Sequence, residues 1–299
     1  ELIADAQARG VPISGQVAPR AIGLILGLQA TLHPFMTKPS YVTIAQLPLA
    51  ERVARMRDPA VRARIMAEPF DALPGRIPAF IVEVLARLDR VFALGDPPEY
   101  EPPPEASVAA RAAREGRDPL DLMYDLLLER NGRELLFAPA ANYADCDYAS
   151  ALAMLRHPHT VVGLGDGGAH CGSICDGGFP TYLLTHWTRD RTRGERLPIE
   201  FAINRYTRAP AQLLGLHDRG LIAPGMKADI NIIDHANLYL SPPSIVHDLP
   251  AGGRRLMQTA KGYVATIASG EIVIEHDQPT GALPGRLVRG ERPDPRHAS

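Results

Sequence analysis

The sequence predicts an α/β fold followed by a region built from β-strands alone. Short apolar runs at 11–17, at 134–138 and from Thr160 onward are typical of buried strands, and helical segments separate them. Strands that alternate with helices indicate a parallel sheet. Near the end of the chain, two alternating runs meet at Ser269-Gly270, which is a hairpin signal.

Turn and capping residues divide the first region into its helices. Gly10 ends an amphipathic opening helix, and Gly116 ends a helix that begins at Ser107. Asp118-Pro119 begins the next helix, with Asp at the N-cap and Pro in the first turn. We expect further helices over 21–32, 49–66, 118–130, 150–157, 179–189 and 198–214, whereas 78–92 is compatible with a helix or a strand. The change of character near His217 divides the chain into an α/β region over 1–216 and a β region over 217–299.

The composition excludes several classes of protein. Hydrophobic residues make up 45% of the 299 residues, so the chain can bury a large core. The net charge of -2 gives no indication of a nucleic-acid partner. No apolar run is long enough to span a bilayer, so no membrane partner is expected. The three cysteines argue against a disulfide framework and favour a reducing compartment, so we expect a cytoplasmic protein.

One stretch concentrates the chemistry that the chain could perform. Residues 160–175 begin as a buried strand and continue as a glycine-rich loop, and Asp166 lies where the strand ends. Catalytic groups of α/β barrels lie at the carboxyl ends of the strands, and glycine allows a substrate to approach closely. Asp166 is therefore the candidate catalytic residue. The alternative is an acidic turn residue that caps the following helix, and the residues alone favour neither interpretation.

Three side chains after Asp166 are further candidates. His170 could contact a substrate. Cys171 and Cys175 are one helical turn apart and could bind zinc with Asp166 or His170. A structural zinc site normally has four ligands, however, and the sequence offers no convincing fourth. Two small buried thiols are the preferred interpretation of the cysteines.

Side chains at the ends of other strands could line the same opening. Arg20 follows the first strand and is the candidate for binding a substrate carboxylate. Asn142 and Tyr143 follow the strand at 134–138 and are also candidate substrate contacts. A surface salt bridge is the preferred alternative for Arg20. Ordinary turn chemistry is the alternative for Asn142 and Tyr143.

Four motifs in the second half of the chain occur in a defined order. They are Leu155–Pro158 (LRHP), Gly165–Gly168 (GDGG), Tyr206–Pro210 (YTRAP) and Gly220–Asp229 (GLIAPGMKAD). In this order and spacing they resemble the carboxyl half of the amidohydrolase superfamily, and in particular the N-acyl-D-amino-acid deacylases, or D-aminoacylases. The resemblance is good over 156–275 and loose over the first part of the chain.

This resemblance implies a fold, an activity and a cofactor. The fold would be α/β, the carboxyl-terminal part of a (β/α)8 TIM-like barrel, followed by strands of a small β-sandwich domain. The activity would be zinc-dependent hydrolysis of the amide bond of an N-acyl, and in particular an N-acyl-D-, amino acid. Asp166 would be both a metal ligand and the general base that takes a proton from the metal-activated water. Hydrolysis of cyclic amides or carbamoyl groups is the alternative, and so is a chain that is inactive by itself.

The histidine motifs that hold the metal in this superfamily are not found in the sequence. His157 and His159 have His-x-His spacing, but Pro158 separates them and both precede the strand, so they are interpreted as loop residues. Because the opening residues predict the end of a helix that leads into a strand, we expect a piece of a longer polypeptide whose other part supplies the metal histidines. The expected partner is a small N-acyl amino acid, and a homo-oligomer is left open.

Overall fold

The computed structural model describes residues 2–69 and 77–297, so Glu1 of the predicted opening helix lies outside it. Within these ranges the helices are α1 Leu2–Ala8, α2 Pro39–Val42, α3 Leu49–Arg57, α4 Pro59–Ala67, α5 Ala79–Ala86, α6 Val108–Glu115, α7 Pro119–Gly132, α8 Ala149–Arg156, α9 Phe179–Thr185, α10 Ile199–Tyr206 and α11 Arg208–Leu213. The strands are β1 Gly15–Val17, β2 Ile22–Leu26, β3 Phe92–Ala93, β4 Leu136–Ala141, β5 Thr160–Val162, β6 Ile230–Ile233, β7 Tyr239–Leu240, β8 Ser244–Leu249, β9 Gly253–Met257, β10 Ala260–Lys261, β11 Tyr263–Ala268, β12 Glu271–Glu275 and β13 Gln278–Pro279. The predicted α/β fold class with a following β region is confirmed. None of the helices in the described ranges has the length and apolar character needed to cross a membrane.

The parallel pairing predicted for the first region is found between β1 and β5. Gly15 lies opposite Thr160, and Val17 lies opposite Val162. The pair continues beyond β5, because the amide of Gly163 donates a hydrogen bond to the carbonyl of Val17 at 3.0 Å. Parallel strands present their carboxyl ends at one edge, so the residues that follow β1 and β5 are brought together there.

The helix predicted over residues 21–32 is wrong. Ile22–Leu26 forms β2, which pairs with β4 in antiparallel orientation, and β4 pairs in the same way with β3. The strand at 134–138 therefore does not join β1 and β5 in a parallel sheet. β2 is a continuous apolar run, and such a run fits a buried strand as well as a buried helix. Gly23 permits the close approach, because a Cβ atom there would lie 2.6 Å from the carbonyl oxygen of Ala138.

Local capping chemistry explains where several helices begin and end. The Ser107 hydroxyl accepts a hydrogen bond from the amide of Ala110 at the start of α6, and Gly116 ends α6 with a φ of 64°. Asp118 caps α7 as predicted. Asp58 accepts hydrogen bonds from two amides of α4, so the single helix predicted over 49–66 is wrong and two helices, α3 and α4, meet at this cap.

Two other predicted helices are also divided. The segment 179–189 is helical in α9 and continues as a π-helical turn over His186–Asp190. The segment 198–214 consists of α10 and α11, which are separated at Thr207. The ambiguous segment 78–92 forms α5 and ends in the short strand β3.

An aromatic core lies beneath β1 and β5. Tyr148 stacks on Trp187 with ring centroids 5.6 Å apart, and Tyr182 stacks on His186 at 4.6 Å. The indole nitrogen of Trp187 donates a hydrogen bond to the carbonyl of Pro19, just after β1. This core therefore fixes the exit of β1, because the hydrogen bond joins the indole ring of Trp187 to the backbone of Pro19.

The β region contacts the α/β region at several points. β11 and β12 form the predicted hairpin at Ser269-Gly270, in a four-stranded sheet with β6 and β13. The hydroxyls of Thr181 and Tyr263 are hydrogen-bonded at 2.9 Å. The division into residues 1–216 and 217–299 stays a prediction.

Candidate functional site

Residues 163–178, which we call the Asp166 loop, follow β5 and cross the carboxyl ends of β1 and β5. Backbone hydrogen bonds attach this loop to two other strands. The amide of Ile25 in β2 donates to the carbonyl of Ser173 at 2.7 Å, and the amide of Leu256 in β9 donates to the carbonyl of Cys171 at 2.7 Å. The amide of Thr31 donates to the carbonyl of Gly172 at 2.8 Å. Three consecutive residues of the loop are therefore held by segments that are distant from one another in the sequence.

The backbone of the Asp166 loop is unusual at its start. Every second residue from 164 to 170 has a positive φ, with values of 67° at Leu164, 39° at Asp166, 91° at Gly168 and 44° at His170. Left-handed conformations cost free energy for residues other than glycine, least for Asp and Asn and more for Leu. Residues held in such conformations cluster at functional sites.

Asp166 has an exposed side chain in this loop. Its backbone carbonyl accepts a hydrogen bond from the amide of Ala169 at 3.0 Å, which closes a turn around it. Within residues 2–69 and 77–297, no hydrogen bond or ion pair engages its carboxylate. A carboxyl group in this setting is accessible to water and has oxygen atoms free to form hydrogen bonds.

His170 is exposed as well, and its carbonyl accepts a hydrogen bond from the amide of Ser173 at 2.7 Å. Cys171 and Cys175 are partly buried free thiols. Burial raises the pKa of Cys175 to about 11, so this thiol is protonated at neutral pH when no metal is bound. The part of the chain that the structure describes contains no group of three or more His, Cys, Asp or Glu side chains that could hold a metal ion. The described residues therefore contain no complete metal site, and Asp166 as a metal ligand stays a prediction.

Arg20 lies behind the Asp166 loop and is only 1% exposed. Its Nη2 atom is 2.9 Å from Oδ1 of Asp176 and donates to the carbonyl of Cys175 at 2.8 Å. The guanidinium lies over the rings of Tyr100 and Phe179, at 3.9 and 4.6 Å from their centroids. Direct substrate contact by Arg20 stays a prediction, which this burial does not favour. The ion pair that Arg20 makes is buried, and not on the surface as the preferred alternative had it.

Asp176 was not singled out from the sequence. It is 3% exposed, and burial raises the pKa of its carboxyl, an effect that Arg20 opposes and the nearby charge of Asp166 increases. Asp176 lies in a glycine-rich segment, directly after Cys175. It does not stand at a motif spacing from any other charged residue in the sequence. No sequence signal could have identified its partner.

Asn142 and Tyr143 follow β4 and fasten it to neighbouring segments. Asn142 has a φ of 62°, and its Nδ2 atom donates to the carbonyls of Ala18 at 2.9 Å and Arg20 at 3.2 Å. Tyr143 is 2% exposed and donates from its hydroxyl to the carbonyl of Pro102. Asn142 therefore supports the exit of β1. Substrate binding by either residue stays a prediction.

A second polar cluster lies away from the Asp166 loop. The Glu101 carboxylate is hydrogen-bonded to Nε2 of His186 at 2.7 Å and to Nη2 of Arg191 at 2.9 Å. Burial by itself raises the pKa of Glu101, but the hydrogen bonds from His186 and Arg191 outweigh it and lower the pKa below its usual value. Glu101 and His186 line a cavity of about 360 Å³. This cluster was not identified from the sequence, because Glu101 is more than eighty residues away from His186 and Arg191.

Comparison with known proteins gives one family match and several partial structural likenesses. The model of the amidohydrolase family matches residues 1–274. No curated protein matches the chain. A D-aminoacylase variant in complex with copper chloride is 22% identical, with a TM-score of 0.38, and the likeness covers 68% of this chain and 38% of that one. A D-aminoacylase studied for its binuclear metal centre is 21% identical, with a TM-score of 0.37, and the likeness covers 64% of this chain and 36% of that one.

The chain thus spans less than two fifths of the length of the D-aminoacylase structures that it resembles. At these TM-scores the likeness adds no argument about the site, whereas the family model covers most of the chain. The four sequence motifs lie within the matched range. The chain belongs to the amidohydrolase family.

Proposed function

We propose that the whole protein hydrolyses the amide bond of an N-acyl amino acid, in particular an N-acyl-D-amino acid, in a zinc-dependent reaction with Asp166 as general base. The observation that carries this proposal is the exposed Asp166 carboxylate, which lies just after a parallel strand in a chain of the amidohydrolase family. An acid at the carboxyl end of such a strand is where barrel enzymes place their catalytic groups.

The role of Asp166 is to move one proton. Water adds to the amide carbonyl carbon while the Asp166 carboxylate accepts the water proton. The same proton is then donated to the amine nitrogen as the C–N bond breaks, which leaves a carboxylic acid and a free amino acid. General acid–base catalysis of this kind contributes about 10²–10⁴-fold to a rate.

Zinc is the part of the proposal that the described residues do not supply. They offer one exposed carboxylate at this position, whereas a catalytic zinc ion usually takes three protein ligands. The zinc dependence therefore belongs to the whole protein.

The test is a substrate panel with the purified whole protein. The panel contains N-acetyl-D-methionine, N-acetyl-L-methionine, an N-carbamoyl-D-amino acid and a cyclic amide, and release of the free amine or ring-opened product is measured. We expect the N-acetyl-D-amino acid to be hydrolysed fastest. Faster hydrolysis of the carbamoyl or cyclic substrate would replace this proposal with another amidohydrolase reaction, and no hydrolysis of any of them would refute it.

A further inference from the structure

The contacts of Arg20 and Asp176 place a buried ion pair directly behind the residue proposed as general base. Both side chains are at most 2% exposed. Arg20 follows β1, whereas Asp176 belongs to the Asp166 loop, so the pair joins the exits of the two parallel strands. The end of a third strand joins this arrangement. Asn142, which follows β4, donates a hydrogen bond to the carbonyl of Arg20.

The pair is coupled to the beginning of the loop. A Cβ atom placed on Gly165 would lie 3.8 Å from the backbone oxygen of Asp176, so the two ends of the loop are in contact beside Asp166. Arg20 also donates to the carbonyl of Cys175, which fixes the backbone next to Asp176. One guanidinium therefore holds both a side chain and a main-chain oxygen of the segment that shapes the position of Asp166.

A contribution to the folding free energy does not by itself explain this ion pair. Nε of Arg20 is buried and has no hydrogen-bond partner within the described residues, although Nη2 is 2.9 Å from Oδ1 of Asp176. Buried ion pairs often add no stability over well-packed apolar residues, because both charges lose their hydration. Unsatisfied polar atoms inside a protein call for a reason other than the folding free energy.

We propose that Arg20 and Asp176 are positioning residues, which hold the Asp166 loop so that the Asp166 carboxylate meets the substrate in a productive geometry. This inference deepens the proposed function and rests on it. In this role both residues act through Asp166, because the guanidinium is enclosed by Tyr100, Phe179 and the backbone of Ala21 and Cys175. A displacement of a catalytic group by about 1 Å can lower a rate about 10²-fold.

The decisive variant replaces both charges at once in the whole protein. Arg20→Met combined with Asp176→Leu removes the pair without leaving an isolated buried charge, so the melting temperature should stay within a few degrees of the wild type. We expect kcat for the N-acetyl-D-amino acid to fall about 10–10²-fold while KM changes less than about threefold. Unchanged kcat in a folded double variant would overturn the positioning role.

Two single variants keep the test informative if the double variant does not fold. Asp176→Asn keeps the size of the side chain but removes its charge. Arg20→Lys keeps the charge but loses the planar guanidinium that contacts Asp176 and the carbonyls of Ala21 and Cys175. In both variants the fold decrease in kcat should exceed the fold increase in KM. The decrease in kcat should be smaller in Arg20→Lys than in Asp176→Asn. The control is Arg191→Gln, which breaks a second buried ion pair, with Glu101. It should lower the melting temperature and leave kcat of the folded fraction nearly unchanged.

Amide hydrogen exchange separates a failure of this inference from a failure of the proposed function. The amides of Ile25 and Thr31 donate to carbonyls of the Asp166 loop, so their protection reports how firmly the loop is held. We expect exchange at both amides to accelerate at least about tenfold in the double variant, or in Asp176→Asn, but not in Arg191→Gln. This readout needs no substrate, so it decides the positioning role even if the wild type hydrolyses nothing in the panel. Unchanged exchange would refute it.

Discussion

At the scale of single residues, Asp166 combines the properties expected of a general base. It is exposed, its carboxylate is not engaged by a partner within the described ranges, and its backbone has a φ of 39°. Asp tolerates this conformation better than most residues, because its side chain is short. The position therefore demands a small polar residue, and the chemistry demands a carboxylate.

Replacing Asp166 by Asn in the whole protein should lower kcat about 10²–10⁴-fold, since the amide cannot accept a proton from water. The unfolding free energy should change by less than about 0.5 kcal/mol, because the side chain is exposed. Steady-state kinetics and denaturant unfolding measure both quantities. The matched control is Asp145→Asn, which changes another exposed carboxylate after β4 and should preserve kcat. Wild-type turnover in Asp166→Asn would exclude the role assigned to this residue.

His33 makes the stability of the chain depend on pH. Burial first, and then the charges of Arg52 and Arg254, lower its pKa from 6.5 to about 3, and its Nδ1 atom accepts a hydrogen bond from the amide of Phe35. The unfolded chain therefore binds a proton below about pH 6.5 that the folded chain does not bind, so stability falls as pH falls.

Between pH 7 and pH 5 we expect His33 to reduce the unfolding free energy by about 2 kcal/mol. His33→Gln should remove this part of the pH dependence even if it lowers stability at pH 7. Denaturant unfolding at several pH values measures it, with His247→Gln, an exposed histidine, as the control. Equal pH slopes in the wild type and His33→Gln would show that His33 is not buried in its neutral form.

At the scale of secondary-structure elements, the contact between β2 and β4 matters most for the site. The amide of Ile25 in β2 donates the hydrogen bond that attaches this strand to the Asp166 loop, and Asn142, which follows β4, supports the exit of β1. The two strands can approach because Gly23 has no side chain facing Ala138. A strand pair of only a few residues thus supports two sides of the candidate site.

Gly23→Ala should destabilise the protein by about 1–3 kcal/mol, because its Cβ atom would lie 2.6 Å from a backbone oxygen that cannot move freely. The matched control is Gly285→Ala, where a Cβ atom meets nothing within 4 Å. Thermal or denaturant unfolding of both variants gives the difference. Equal stabilities would mean that β2 and β4 lie further apart than described.

At the scale of the whole molecule, the contributions of the chain to a metal site are limited. The described residues contain no cluster of three ligands, and the Cys175 thiol is protonated at neutral pH. One exposed carboxylate does not hold zinc against water and buffer.

We therefore expect the 299-residue chain by itself to retain less than about one zinc ion per ten molecules after dialysis, because a catalytic zinc ion usually needs three protein ligands. Elemental analysis of the purified chain measures the content, and the whole protein treated in the same way is the comparison. One tightly held zinc ion per chain, lost when Cys171 and Cys175 are both replaced by serine, would contradict this expectation and establish a cysteine site instead.

Local chemistry made much of the fold predictable. The caps at Ser107 and Asp118, the stop at Gly116 and the hairpin at Ser269-Gly270 each depend on side-chain or backbone preferences of a few neighbouring residues. Asp166 was also predictable as a candidate, because an acid between glycines after an apolar run is a local pattern. Such features need no information from the rest of the chain.

The tertiary structure alone decided which apolar run became a strand and what surrounds Asp166. Residues 22–26 form β2 rather than a helix because β4, more than a hundred residues away, supplies the hydrogen bonds that complete the strand. Arg20 pairs with Asp176, and Glu101 with His186 and Arg191, only after folding brings these charges out of water together. The sequence therefore determined the family, the fold class and the candidate acid. The partners of that acid depend on contacts between distant segments, which leave no periodic or local trace in a sequence.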